Sequence, residues 1–352
     1  MRQISDSLAG LGRFSSIPKQ QLFAEQTPLE LLGNLSRHCG GASIFVKRDD
    51  CTALAFGGNK VRQLEFYLGE AVALEADTVL ITGAVQSNFV RTAAAAANKL
   101  GMRCHIQLEE RVAETTPQYR ESGNVLLDKL LGATLHSYAT GEDESGADQA
   151  LEQIATDLKN SGRNPYVIHL APDHPPLGAL GYIVAADELL RQIGASEIKL
   201  DQIFVGSGSG ATHAGLLFGF RALGSNLPVT GVCVRRKADL QVHRIKDACE
   251  RIATLLDVKN PVAVEDIELT GDFLAPGYGV PSNSILDAII LGARMEGLII
   301  DPVYTGKALA ATIHFASRSS PDQNLLFWHT GGTPAIFAYQ NIIEKAIDRN
   351  AN

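Results

Sequence analysis

The chain reads as an α/β protein in two parts, and three features say so. Short apolar runs rich in strand-forming residues alternate with longer helical stretches, the pattern of parallel sheets covered by helices on both faces. Many strand candidates end in Gly, Ser or Asn just before a helix, and ligands of open α/β sheets bind at those carboxyl ends. The 352 residues allow about two domains at roughly 150 residues each, both able to bury a core.

In chain order, a strand is expected at 43–47 and a helix at 62–74. The pairs 78–82 with 88–100, 103–108 with 124–131 and 134–137 with 147–159 each set a strand before a helix. Residues 166–170 and 179–193 repeat the unit, as do 202–205 with 212–223 and 229–234 with 238–256. The last units are 262–269 with the helices 284–296 and 306–317, and a final strand at 325–329. The stretch 141–148 is rich in Glu, Asp, Ser and Gly and reads as a surface loop. The run Ala93 to Ala97 lies inside a good helix, where small side chains permit close packing.

Hydrophobic residues make up 45% and charged residues 20%, the balance of a soluble globular protein. The formal charge of −8 argues against a general nucleic-acid or anionic-membrane binder. Arg235-Arg236-Lys237 is a basic run too short to reverse that. No apolar run approaches the ~18 residues of a membrane span. Residues 1–14 lack a signal-peptide core, so a cytoplasmic location is expected. The 5 cysteines show no C-x-x-C pair and read as small buried apolar residues.

Four segments carry chemistry. In Phe56-Gly57-Gly58-Asn59-Lys60 the glycines let the backbone turn sharply. A lysine at the following helix start meets the positive end of a dipole, which disfavours its protonation and favours Schiff-base chemistry. An ordinary exposed lysine fits the same spacing. Gln86, Ser87 and Asn88 stand between a strand and the alanine-rich helix, as an anion site suited to a carboxylate or as an N-cap. Gly206-Ser207-Gly208-Ser209-Gly210-Ala211-Thr212 joins a strand to a helix, the arrangement that cradles a phosphate. It also fits a loose dinucleotide fingerprint, which keeps an NADP-binding oxidoreductase open. Near the C-terminus, Tyr278 and Tyr304 are candidate acids or core tyrosines, and His329 is a candidate base or a structural histidine. H-E-x-x-H, Walker and G-x-S-x-G motifs are absent, and the histidines show no metal-ligand spacing, so no metal is expected.

Taken in order, these segments resemble the fold-type II pyridoxal phosphate enzymes, in the group containing D-cysteine desulfhydrase and 1-aminocyclopropane-1-carboxylate deaminase. Thr27-Pro28-Leu29-Glu30, Val46-Lys47-Arg48-Asp49-Asp50, Asp301-Pro302-Val303-Tyr304 and His329-Thr330-Gly331-Gly332 complete the resemblance. It implies two three-layer α/β/α domains of the tryptophan synthase beta-like kind, residues 1–50 with 175–352 and residues 51–174, with the cofactor in the cleft between them. Lys60 would hold pyridoxal phosphate as a Schiff base. Asn88 would bond its 3-oxygen, and Gly208, Ser209, Gly210, Ala211 and Thr212 its phosphate. Ser87, with Gln86 nearby, would grip the substrate carboxylate, and Tyr278 and Tyr304 would line the substrate pocket. Thr305 and Thr330 match the desulfhydrase branch, where the deaminase branch has glutamate and leucine. A threonine near the pyridine nitrogen would leave a weaker electron sink, sufficient for losing a good β-leaving group.

The activity implied is α,β-elimination on a small amino acid. D-Cysteine leads, and L-cysteate, D-serine and 3-chloro-D-alanine follow. The deaminase reaction and a non-catalytic cofactor-binding role are further alternatives. A homodimer is implied as well. Phe89 departs from the histidine that often follows Gln-Ser-Asn in desulfhydrase-like sequences, which touches substrate choice.

Overall fold

The computed structural model describes residues 4–113, 115–141, 143–170 and 174–350. Residue 142 of the expected surface loop, and residues 171–173 beside the expected domain boundary, lie outside the described residues.

The strands are β1 (Leu29–Leu31), β2 (Ser43–Arg48), β3 (Thr78–Ala84), β4 (Arg103–Glu109), β5 (Thr134–Tyr138), β6 (Pro165–Ile168), β7 (Gln202–Ser207), β8 (Val229–Cys233), β9 (Glu268–Thr270) and β10 (Asn324–His329). They form a six-stranded sheet of order β1-β2-β10-β7-β8-β9 and a four-stranded sheet of order β5-β4-β3-β6. All pairings are parallel except β1 with β2. The strands of the smaller sheet all fall between residues 78 and 168.

Side-chain alternation builds layers on the larger sheet. Ile44, Val46, Leu325 and Phe327 pack with Ile285, Ile289, Ala308 and Leu309 of the helices Asn283–Glu296 and Thr305–Ala316. Leu326 and Trp328 take the other face with Tyr182, Leu189, Leu216 and Phe220 of the helices Leu177–Ser196 and Ala211–Ala222. On the smaller sheet Val79 and Ile81 meet Val90, Ala93, Ala94 and Ala97 of the helix Asn88–Lys99, while Leu80 faces Leu151 and Ala155. Methyl side chains let that helix lie close to the sheet.

Most expected elements are present with shifted ends, and the shifts have causes. β3 and β7 run through glycines that read as breakers, because a parallel ladder pairs Gly83 with Leu108 and Gly206 with Val232. The expected strand 262–269 shrinks to β9. The Asp266 carboxylate accepts the Ala263 N–H at 2.8 Å and closes a short 3-10 turn, Val264–Asp266. The stretch 141–148 is loop only at its start, since the helix Glu144–Asn160 begins there with Asp143 accepting the Gly146 N–H. Of the cysteines, Cys104, Cys233 and Cys249 are buried, Cys39 is half-buried, and Cys51 is exposed, against expectation. No described helix is long and apolar enough to cross a membrane.

Candidate active site

The carboxyl ends of β3, β7 and β10 meet around one cavity. Its walls include Lys60, Gly83, Ser87, Asn88, Phe89, Gly208, Ser209, Gly210, Thr212, Tyr278, Tyr304 and Thr330. Segments far apart in sequence converge there because each follows a strand of one or the other sheet.

Lys60 is the second residue of the helix Asn59–Ala73, three residues earlier in the fold than the expected start at 62. The backbone before it is strained: Ala53, Ala55 and Phe56 have φ of 62°, 45° and 67°. Gly57 continues the turn at φ 63°, and a Cβ there would lie 2.2 Å from the Asp50 carbonyl oxygen. Buried charges clamp the next turn. Arg62 donates to Asp49 (2.8 Å) and Glu188 (2.9 Å), with every partner fully buried. Lys47, Tyr182, Trp328 and Thr27 complete the network. Burial pushes the Glu188 carboxyl up, but Arg62 and Lys47 outweigh it and hold it well below the usual range. Two residues from this clamp, the Lys60 amine donates to Gln63 Oε1 at 3.2 Å and lies 4.7 Å from the Phe89 ring centroid. Burial lowers its pKa to about 8.

Ser87 caps the helix Asn88–Lys99, its Oγ accepting the N–H groups of Phe89 and Val90. Its hydroxyl proton stays available at the cavity wall. Asn88 Oδ1 accepts from Asn124 at 2.9 Å, so its NH2 group is what it offers a ligand. Gln86 is a correction. Its amide donates to the carbonyls of Tyr119 and Ser122 and accepts the Asn124 N–H. The side chain braces residues 119–124 and does not line the cavity, because the backbone there offers complementary partners in the buried space behind the strand end.

The glycine-rich loop enters the helix Ala211–Ala222 through Gly210 at φ 100°. The first N–H groups of that helix have no intrahelical acceptor and carry partial positive charge. Thr212 Oγ1 accepts from Asn59 (2.9 Å) and Gln63 (3.0 Å), tying the loop to the Lys60 helix. Ala211 lines an adjoining cavity instead, one shared with Gln63 and Phe89. Behind the loop, burial lowers the His213 pKa to about 4, so the ring is neutral, with Nε2 donating to Val229 O at 3.1 Å.

The hydroxyls of Tyr278 and Tyr304 lie 2.6 Å apart. Burial raises both pKa values, while Arg111 and the bond with Tyr304 offset part of the rise at Tyr278. Either hydroxyl can donate in this bond, so the pair can pass a proton along it. Thr305 is a second correction. It is fully buried behind the wall, where its hydroxyl donates to Asp301 Oδ2. Asp301 reaches the cavity and accepts the N–H groups of Val303, Tyr304 and Thr305 as it starts their helix. His329 is fully buried, with a pKa lowered by burial and Nδ1 accepting the Gly331 N–H, so it is structural.

Sequence reasoning missed the charged rim. Arg111, Arg235, Arg244 and Glu144 also line the cavity. Glu144 joins Arg235 (2.8 Å), Arg236 (2.5 Å) and Arg244 (3.3 Å), and these guanidiniums overcome burial to keep its carboxyl low. The odd run Arg235-Arg236 was the one signal that could have found it. The fold also gathers Asp148, His169 and His174, whose ligand atoms lie within 4.8 Å of one another. The two rings stack in parallel with centroids 3.6 Å apart, so their in-plane lone pairs do not converge on an ion.

The family described as pyridoxal-phosphate dependent enzyme matches residues 21–331. The chain is 40% identical over 331 residues to D-cysteine desulfhydrase of Salmonella choleraesuis strain SC-B67, covering 94% of this chain and 98% of that one. The figures are the same for D-cysteine desulfhydrase of Salmonella typhi. Among solved structures, an ACC deaminase homologue superposes with TM-score 0.86 at 34% identity, covering 97% of this chain and 100% of that one. O-ureido-L-serine synthase, at 16% identity and TM-score 0.65 over 94% of this chain and 95% of that one, shares the fold.

Proposed function

Because the chain belongs to the pyridoxal-phosphate dependent enzymes, we propose that it is a cytoplasmic lyase cleaving the carbon–sulfur bond of D-cysteine, releasing hydrogen sulfide, ammonia and pyruvate with uptake of one water. The family match replaces the dinucleotide reading.

One observation carries the proposal: a buried lysine, a helix N-terminus, a Ser-Asn pair and a coupled tyrosine pair share one cavity. The donor set fits the cofactor. Lys60 would hold its aldehyde carbon, Asn88 its ring oxygen, and Gly208 to Gly210 with Thr212 its phosphate. The loop is a cradle for that phosphate, since a Cβ on Gly208 would press Val234 at 3.0 Å. When bound, pyridoxal phosphate supplies an electrophilic carbon for the substrate amine and a ring that draws off the α-carbon electrons.

The chain does the rest. Ser87 and the helix N-terminus at Asn88 orient the substrate carboxylate. Lys60, with a pKa of about 8, takes the α-proton as a neutral amine. The Tyr278–Tyr304 pair delivers a proton to the departing sulfur, and Arg111 beside it stabilises the developing thiolate. Thr330 closes the wall beside the start of the Lys60 helix, held by its carbonyl accepting the Asn59 N–H at 2.9 Å.

The arginines favour a second substrate, L-cysteate, whose sulfonate is permanently anionic. Purified enzyme is given D-cysteine, L-cysteine and L-cysteate while sulfide, sulfite and pyruvate are assayed. Sulfide with pyruvate from D-cysteine alone supports the first reading, and sulfite from cysteate supports the second. A yellow protein releasing neither has a binding role. Assembly as a homodimer belongs to the same proposal, with the mass in solution as its check.

A further inference from the structure

During turnover Lys60 must exist both joined to the cofactor and free. The free amine has a defined place in this structure. It donates to Gln63 Oε1 at 3.2 Å and faces the Phe89 ring at 4.7 Å from the centroid. Both partners are fixed. Gln63 is 1% exposed, and its Nε2 donates to Thr212 at 3.0 Å, which turns Oε1 toward Lys60. Phe89 is 6% exposed and packs against Tyr67, ring centroids 6.1 Å apart. Phe89 borders both the active-site cavity and the cavity next to it, and Gln63 borders the second, so the pair stands between the two where the lysine rests.

An aromatic face and an amide oxygen share one preference. Each stabilises an ammonium more than a neutral amine. After Lys60 takes the α-proton, its lone pair has become an N–H bond, the C–H electron pair stays with the substrate carbon, and the nitrogen carries the positive charge. We propose that Phe89 and Gln63 form a seat for that ammonium, which makes Phe89 a positioning residue acting through Lys60. Burial alone opposes the charge, and the seat offsets part of that opposition. The charged and titratable groups on the same cavity are the acids Glu144 and Asp301, the arginines Arg111, Arg235 and Arg244, the tyrosines Tyr278 and Tyr304, and His213. They are unchanged by substitutions at Phe89.

The proposal rests on Lys60 being the cofactor lysine, and the experiment separates the two. The full chain, stripped of cofactor, captures pyridoxal 5′-phosphate across a range of pH, followed by absorbance. Only the neutral amine attacks, so the pH midpoint of the capture rate reports the lysine. Phe89→Leu keeps an apolar wall but removes the π face. Its midpoint should fall by about 0.4–1.5 pH units. Phe89→Tyr keeps the face and should match the parent. If the leucine variant does not fold, Phe89→Met makes the same comparison. A midpoint unmoved in the apolar variants, or moved equally in Phe89→Tyr, overturns the seat. Undiminished capture by Lys60→Ala overturns the assignment of Lys60 itself.

Discussion

Arg62→Met removes the centre of the charge cluster beneath Lys60. The guanidinium donates to Asp49 Oδ1 at 3.0 and 2.8 Å, to Glu188 at 3.0 and 2.9 Å, and to Thr27 Oγ1 at 3.0 Å. Without it, two fully buried carboxylates share one ammonium, that of Lys47. Removing one partner from a buried ion cluster costs about 3–5 kcal/mol. At a urea slope near ~3 kcal/mol/M the midpoint should fall by about 1–2 M. The assay is built in, because the single tryptophan, Trp328, donates to Asp49 Oδ2 at 2.8 Å and its fluorescence reports this cluster.

The pH dependence makes the reasoning sharper. In the parent, cations hold the Glu188 and Asp49 carboxyls low. A depressed folded pKa gives stability that is present above the unfolded value and lost only as pH falls toward the folded one. In the variant, burial of these carboxyls is no longer outweighed and their folded pKa values rise. The folded state then takes up protons that the unfolded state releases above ~4, so the deficit should shrink between pH 7.5 and 5. A deficit under about 1 kcal/mol at pH 7.5, or one that grows toward pH 5, would refute the account of a clamp made by opposed charges.

Ser87→Ala should lower thermal stability by about 1 kcal/mol through the lost N-cap and raise KM for the amino acid about tenfold or more, read by calorimetry and steady-state kinetics. Gly57→Ala forces a Cβ to 2.2 Å from the Asp50 carbonyl at φ 63°, and faster loss of pyridoxal phosphate on dialysis is the expected result. Asp128 is fully buried, neither carboxylate oxygen has a hydrogen-bond partner among the described residues, and burial raises its pKa to about 8. A raised folded pKa gives stability that is full below the unfolded value near ~4 and lost as pH rises toward 8. Asp128→Asn should therefore flatten the stability profile between those limits and be the more stable protein at pH 7.5. An unchanged profile would mean that Arg91, which pulls this pKa down, keeps the carboxyl ionised.

The cavity residues proposed to hold the cofactor through the backbone or through a lysine were readable because local chemistry decides them. Two glycines before Lys60, alternating glycines before Thr212, and a Ser-Asn pair opening a helix have the same consequences wherever the strands carry them. Strand and helix identities were readable for the same reason, whereas ends such as Gly83 and Gly206 depend on a neighbouring ladder. The faces of Gln86 and Thr305 were not readable. Each sits beside a residue that lines the cavity, Ser87 or Tyr304, and one bond rotation separates the cavity from the wall behind it. Gln86 turned to the 119–124 backbone and Thr305 to Asp301, where the polar groups are.

Periodicity by itself determined an α/β chain, because it is a local property, and the motifs in their order implied a lysine-centred site for pyridoxal phosphate through the family they resemble. Only the tertiary structure decided the charges around that site. Glu144 gathers arginines from about 90 to 100 residues away, and Arg62 meets Glu188 across 126 residues. Coulomb interactions and burial depend on distances that chain folding alone sets.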